Sequence, residues 1–540
     1  MSHDTALKRP ALYNPALWSR EEVRTYYIAR QRLLERFLDD FRRERPGTRP
    51  QHRLILGQRG MGKSTLLRRL AIGVDDDAEL AGQWLPLVFP EEQYNVATLA
   101  DFWLNCLDAL GDFLEARGDL AEMQAIDAEV ERLDRKDGEG ALQTLLRFAK
   151  KLDRRLLLLV DNIDLILERI RKNDWVLREA LQEHPELLLV GASSRALEAT
   201  YDYGAAFYDF FRIDELRGLS ESEMRETIVA LARQRGAEEV VRRVESDPGR
   251  LRVLHTLTGG NPRTAVLLYG VLLKGVDGDV RSDLEALLDE VTPLYKARFD
   301  ELPAQAQQLL DKVALHWDPI SARQAADALG WTVNLASAQL DRLVQAGVVE
   351  KVKAGSGKRM AFQVAERFFN IWYLMRASRR VRRRLMWLVE FLLANVNATE
   401  LRLSAARQVN EPCLSEASDN GRKACQLLNQ GRSEAAIALA ETWFTHLLED
   451  KALSVADQTN LISLLQVAWA RGRAGDFLAV FDKTEAAQRF RPAREALAAA
   501  VAGTAEILNG VAPEVRKPAL DILAIIAPEL VQPETLSAPL

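Results

Sequence analysis

The chain has 540 residues, 48% hydrophobic and 28% charged, and its 72 Lys and Arg against 78 Asp and Glu leave a net charge of −6. That composition excludes a disordered, collagen-like or coiled-coil chain, and at roughly 150 residues per domain it allows three or four domains, each with its own core. Without a global positive charge, any nucleic-acid contact has to come from a local patch. Three cysteines, Cys106, Cys413 and Cys425, imply no disulfide framework and point to a reducing compartment. The opening MSHDTALKRPALYNP has neither the apolar core nor the cleavage site of a signal peptide. The best apolar stretch, residues 156–167, is broken by Asp161 and Asp164 and is too short to span a bilayer. A cytoplasmic protein is expected.

Residues 20–43 have the periodicity of one amphipathic helix, closed by Arg45-Pro46-Gly47. Residues 53–260 then alternate short apolar runs with helical patterns, the signature of a parallel sheet built from βαβ units. The clearest strands are HRLILG (52–57), WLPLVF (84–89), RRLLLLVD (154–161) and ELLLVGAS (186–193). Their apolar runs are continuous rather than alternating, so helices should cover the sheet on both faces.

Between the first strand and the helix STLLRRLAI lies Gly57-Gln58-Arg59-Gly60-Met61-Gly62-Lys63-Ser64-Thr65, a full GxxxxGK[ST] match in its proper strand–helix context. The glycines let backbone N–H groups converge on one phosphate, and the helix N-terminus adds its positive dipole end. Lys63 can reach the β- and γ-phosphates of a bound nucleotide, and Ser64 can offer its hydroxyl to Mg²⁺. Asp161, at the tip of the strand LLLLV, is the expected magnesium carboxylate. The next residue is Asn162, and an amide can orient a water but cannot take its proton. Asp164, if still on the strand, would point elsewhere than Asp161. Slow hydrolysis is the consequence.

Together these residues resemble the STAND and origin-recognition-type branch of the AAA+ ATPases. Tyr27-Ile28-Ala29-Arg30 is similar to the box that lies against adenine in that family, with Arg30 at its Arg position and Ala29 in place of its glycine. In AAA+ hydrolases a Glu usually follows the magnesium Asp, where this chain has Asn162. The segment Val190-Gly191-Ala192-Ser193-Ser194-Arg195 resembles sensor 1, which gives Ser193 or Ser194 a place near the γ-phosphate. Thr258-Gly259-Gly260-Asn261-Pro262-Arg263 resembles the lid motif. There the resemblance implies that Arg263 reaches the phosphates and Pro262 flanks the base. Read locally, Asn261 is a good N-cap, Pro262 suits the first helical position, and Arg263 lies where the dipole disfavours a cation. Arg195 and Arg212 are candidates for an arginine finger in trans.

Residues 262–300 read as helices. Residues 301–366 give three short helices and two strand-like runs, a winged helix with GSGK at the wing tip, and ERFFNIWYLMR then resembles the segment that closes this domain in STAND-type ATPases. The third helix carries Asn334, Ser337, Gln339 and Arg342 on its exposed side with Asp341 among them, so it is not basic. Lys351, Lys353, Lys358 and Arg359 lie on the wing, and Arg376, Arg379, Arg380, Arg382, Arg383 and Arg384 follow. Those arginines could meet DNA phosphates, and spread around a helix some must pair with carboxylates. Beyond residue 367 only helical periodicity remains. Segments around Gly431, Gly472 and Asn509-Gly510 echo one another as helix–turn–helix units of a TPR-like solenoid or a plain bundle. The six scattered histidines make no zinc pattern, and no second catalytic motif is present.

The architecture expected is an α/β P-loop NTPase core with a parallel sheet and an N-terminal helix (1–260), a helical lid (261–300), a winged helix (301–375) and an all-α C-terminal domain (376–540). The expected function is an ATP-binding, Mg²⁺-dependent regulatory switch of a prokaryotic regulatory or defence system. It would couple nucleotide state to conformation, to homo-oligomer assembly, or to protein partners on the helical C-terminal region. The alternative is a DNA-binding initiator or loader.

Overall fold

The computed structural model describes residues 18–89, 95–194, 205–274, 279–353, 360–405, 416–449 and 453–531. It divides into two compact units. One takes the chain through Leu219 together with Asn261–Val266, and the other takes Ser220–Gly260 and everything from Leu267 onward.

The first unit is built on five parallel strands: β1 (Arg53–Leu56), β2 (Trp84–Val88), β3 (Arg155–Val160), β4 (Leu187–Ser193) and β5 (Arg212–Glu215), in the order β2-β3-β4-β1-β5. The four apolar runs are strands, and β1, β3 and β4 are buried along their whole length. Alternate residues of β3 serve two cores. Leu156, Leu158 and Val160 pack with Phe102, Trp103 and Leu107 of the helix Leu99–Arg117. Leu157 and Leu159 pack on the other face with Phe37, Leu66 and Leu70. The sheet is therefore the middle of three layers, as continuous apolar strands demand. The fifth strand, Arg-Ile-Asp-Glu, has no apolar run. It is held by Asp214, which lies 2.8 Å from the buried Arg53 guanidinium, itself 2.6 Å from Asp40 and stacked on Phe37.

The N-terminal region is not one helix. It is α1 (Arg20–Tyr26) and α2 (Gln31–Arg43), broken where Arg30 takes a left-handed conformation, φ 63°. Helix α3 (Lys63–Asp76) follows β1, α4 (Leu99–Arg117) leads toward β3, and α5 (Ile163–Arg169) starts directly after it. Helix α6 (Pro262–Lys274) has its first turn in this unit.

In the second unit, helices Ala304–His316, Ala322–Leu329 and Val333–Gln345 precede an antiparallel hairpin, Val349–Lys353 with Met360–Val364, which Ile320 extends by a bridge to Phe362. Gln339 is not exposed as expected; it is buried and donates to Gln305 at 3.2 Å. The wing residues Lys358 and Arg359 lie outside the described residues. The rest is helical. Gly431 and Gly472 close helices in left-handed conformations, as the echoes predict. Gly503 shares that geometry, whereas Asn509-Gly510 ends a short 3₁₀ turn. Trp317 and Arg367 both reach the fully buried Glu514 carboxylate, Arg367 at 2.8 Å. No helix among the described residues is long and apolar enough to cross a membrane.

Candidate functional site

Residues 57–62 connect β1 to α3. Gly60 (φ 85°) and Gly62 (φ 81°) give the loop its curl, and the Gly57 N–H donates to the Ser193 carbonyl at 3.2 Å, fastening it to the end of β4. Met61 turns its side chain into the core beside Tyr27 and Leu66, so only its backbone is available to a ligand. Lys63 is 7% exposed, and its ammonium donates to the Gly57 and Gln58 carbonyls at 2.7 and 3.1 Å. Burial pulls its pKa down to about 8. Asp161 and Asp164 oppose that shift, and Arg59 and Arg263 reinforce it. The Arg263 guanidinium is thus within electrostatic reach of Lys63. Ser64 and Thr65 follow in the first turn of α3.

Asp161 stands just past β3 and is 5% exposed. It accepts the Ser64 hydroxyl and, at 2.9 Å, the Asn162 N–H. Burial outweighs these bonds and the nearby Lys63, and holds the carboxyl above its ordinary pKa. A buried carboxylate beside a hydroxyl is a hard-oxygen donor pair of the kind that suits Mg²⁺. Next to the pair opens a cavity of about 440 Å³, lined in part by Leu67, Ala71, Val88 and Phe113.

Asn162 departs from strand geometry. Its φ of 47° and ψ of 40° are left-handed, so the chain leaves the sheet there and enters α5. Asp164 consequently lies in the first turn of that helix, buried and close enough to influence both Lys63 and Asp161. The expectation that strand alternation would turn it away is overturned, because no strand continues past Val160. Gly191 permits this approach, since a Cβ there would come within 2.8 Å of Ile163.

Ser193 ends β4, opposite Leu56 and fully buried, and Ser194 follows it half-buried. Arg195 lies outside the described residues, and Arg212 pairs with Asp40 of its own chain at 3.1 Å. Arg30 donates to the carbonyls of Met61 and Arg217, main-chain oxygens of the loop and of the segment after β5. Pro262 and Arg263 open α6 beside the loop, where the Arg263 N–H meets the Gly60 carbonyl at 3.3 Å. The structure therefore gathers the loop, Asp161, Asp164 and Arg263 around Lys63.

Residues 27–191 match the family described as AAA ATPase domain. That segment has the parallel-sheet P-loop fold of the AAA+ type. It is similar to the Walker-type ATPase PABY2304 of Pyrococcus abyssi, at 15% identity over 68% of this chain and 98% of that one, with a TM-score of 0.45. It is also similar to the Aeropyrum pernix ORC1 protein solved in complex with DNA, at 14% identity, 70% and 98% coverage and a TM-score of 0.37. Cdc6p from Pyrobaculum aerophilum gives 13% identity, 72% and 97% coverage and a TM-score of 0.31. No curated protein matches the chain.

Sequence reasoning missed what Arg30 and Asn261 do to the loop. An Asn before Pro at a helix start reads as a cap, and its second partner, Arg59, is distant in sequence.

Proposed function

We propose that the protein is an ATP-binding switch of STAND type. Slow Mg²⁺-dependent hydrolysis sets how long one conformational or assembly state persists, and protein partners read that state on the helical C-terminal region. The observation that carries this reading is Asn162, an amide directly after Asp161, the expected magnesium carboxylate, beside a full GxxxxGK[ST] loop. An amide positions water without accepting its proton, so binding outlasts chemistry.

In this reading the loop N–H groups and Lys63 receive the ATP phosphates, Arg263 supplements them, and Arg30 and Pro262 stand on the base side. Ser64 and Asp161 would hold Mg²⁺, which when bound neutralises charge on the phosphates. The Ser193–Ser194 strand end would flank the γ-phosphate. Slow turnover keeps the state long enough for a regulatory or defence complex to assemble in a prokaryotic cytoplasm. Phosphate release and solution sizing with ATP, ADP and neither test the proposal. Expected are turnover well below about 1 s⁻¹, the floor of the common enzyme range, and a size or shape that differs between ATP and ADP. Turnover inside that range refutes the switch.

One observation favours a DNA-binding initiator as the second reading. Arg379, Arg380, Arg382 and Arg384 are exposed and make no ion pair among the described residues. Against it, the third helix of the winged-helix-like segment exposes Val333 and Leu335, and Lys351 on the hairpin is engaged with Asp341 at 2.9 Å. Filter binding across a salt series separates the two, because four phosphate contacts give a slope near −3.6 in log K against log salt. No binding at low salt ends the DNA reading.

A further inference from the structure

A loop that receives a phosphate turns its N–H groups inward and its carbonyls outward, and each outward carbonyl then needs a donor elsewhere. In this loop the donors can be named. Lys63 serves Gly57 and Gln58 at 2.7 and 3.1 Å. Arg30 serves Met61, and the Leu66 N–H serves Gly62 at 2.9 Å. The remaining two carbonyls, at the crown of the loop, are served from the start of α6. Asn261 Nδ2 donates to Arg59 O at 3.1 Å, and the Arg263 N–H donates to Gly60 O at 3.3 Å. Asn261 also ties the second bond to the first, since its Oδ1 accepts the same Arg263 N–H at 3.0 Å.

We infer that Asn261 is a positioning residue of the phosphate loop: it holds the Arg59–Gly60 crown open for phosphate and fastens it to the first turn of α6. The inference rests on reading this loop as the ATP site. Two further observations support it. Asn261 is only 4% exposed, so neither end of its amide has water as an alternative partner. The contact is also too close for any side chain at position 60, because a Cβ there would lie 2.7 Å from Asn261 Oδ1 and 2.9 Å from Nδ2. Gly60 thus meets two demands at once, its positive φ and the Asn261 amide. Lys63 must leave the Gly57 and Gln58 carbonyls to meet a phosphate, while Asn261 and the Arg263 N–H, facing outward, keep their partners. They are the part of the cradle that is the same with and without ATP.

The rival explanation is that Asn261 only caps α6. Ser and Asp cap a helix start about as well as Asn, but Ser is too short to span from the cap to Arg59 O and Asp has no donor. The test compares wild type, Asn261→Ser and Asn261→Asp in the full chain by two readouts. The first is affinity for ATP with Mg²⁺. The second is amide hydrogen exchange across residues 58–64 without nucleotide, which the charge of Asp does not confound through ATP. Both variants should weaken ATP binding on the order of tenfold, the scale of one buried acceptor left unpaired, and both should speed exchange in the loop while leaving overall helicity unchanged. Wild-type affinity and wild-type loop exchange in Asn261→Ser would overturn the inference and leave a cap. If wild type itself binds no ATP, the ATP reading fails, and the exchange experiment still decides whether Asn261 holds the loop. Gly60→Ala adds a check: it should harm the loop less in an Asn261→Ser background than in wild type, because only the strain of positive φ then remains.

Discussion

Lys63→Met should abolish ATP binding and also leave a distinct signature in the protein without nucleotide. Burial depresses the Lys63 pKa from the ordinary 10.5 to about 8. At 1.36 kcal/mol per pKa unit, keeping this ammonium charged in the folded state costs about 3 kcal/mol. Between pH 8 and 10.5 the unfolded chain holds a proton here that the folded chain has released, so stability rises with pH across that window. The penalty is present in full below pH 8 and is gone above 10.5. Met at position 63 has no such dependence, although it leaves the Gly57 and Gln58 carbonyls without this donor. Urea unfolding of both proteins, free of nucleotide, from pH 7 to 10 is the assay. Wild type should gain about 2–3 kcal/mol on Lys63→Met over that range, whatever the offset at pH 7. ATP restores the charged lysine, so binding near pH 8 should take up about half a proton in wild type. A stability difference that stays flat from pH 7 to 10 would refute a buried, strained ammonium. An unchanged ATP affinity in the variant would refute the site.

Asp161→Ala should weaken ATP binding in the presence of Mg²⁺ far more than in EDTA, as titrations under both conditions will report, because Asp161 and the Ser64 hydroxyl that bonds it are the expected metal donors. Asn162→Glu should raise steady-state phosphate release at least tenfold, below the upper range of about 10²–10⁴-fold for a well-placed base, since the left-handed backbone at 162 resists a longer side chain. Asp164→Asn should raise KM and spare kcat, because Asp164 helps hold the Lys63 charge; lost kcat at unchanged KM would make Asp164 the base and defeat the slow switch. Glu514→Leu should destabilise the second unit by about 3–5 kcal/mol in thermal unfolding, by stranding the Arg367 guanidinium. Burial pushes the Glu514 carboxyl up, but Arg367 and Trp317 hold it on balance below its ordinary 4.5, so it makes that contribution above pH 4.5 and loses it as the pH falls.

What the sequence reveals follows from where the information is stored. Four core strands are legible because burial on both faces demands unbroken apolar runs, and β3 reads Arg-Leu-Leu-Leu-Leu-Val. The phosphate loop is legible because its spacing is the chemistry. Strand β5 is not, since its place depends on Asp214 meeting Arg53 across the chain rather than on apolar residues. The break after Tyr26 also hides. Gln31 onward continues the helical periodicity, and only the left-handed Arg30, whose guanidinium is drawn to the Met61 and Arg217 carbonyls, interrupts it. Gln339 looks exposed by spacing and is buried by a partner, Gln305, from another helix. In each case the missing term is a contact distant in sequence.

Asn162 shows how a residue's identity can be plain in the sequence while its geometry is not. The sequence establishes that no carboxylate follows Asp161. It does not show that position 162 must turn left-handed, a conformation that costs most side chains about 1–2 kcal/mol and that Asn tolerates. That turn, two residues past the end of β3 at Val160, starts α5 and brings Asp164 back to Lys63 instead of away from it. The backbone therefore gives Asn a reason to stand at 162 apart from catalysis. The same turn supplies a second buried carboxylate, after Asp161, that opposes the loss of charge on Lys63. A site can lose its general base and still have its acidic residues engaged, provided the second carboxylate serves the lysine rather than the water. In a switch the lysine is where that charge is needed, because ATP has to be held before it has to be cut.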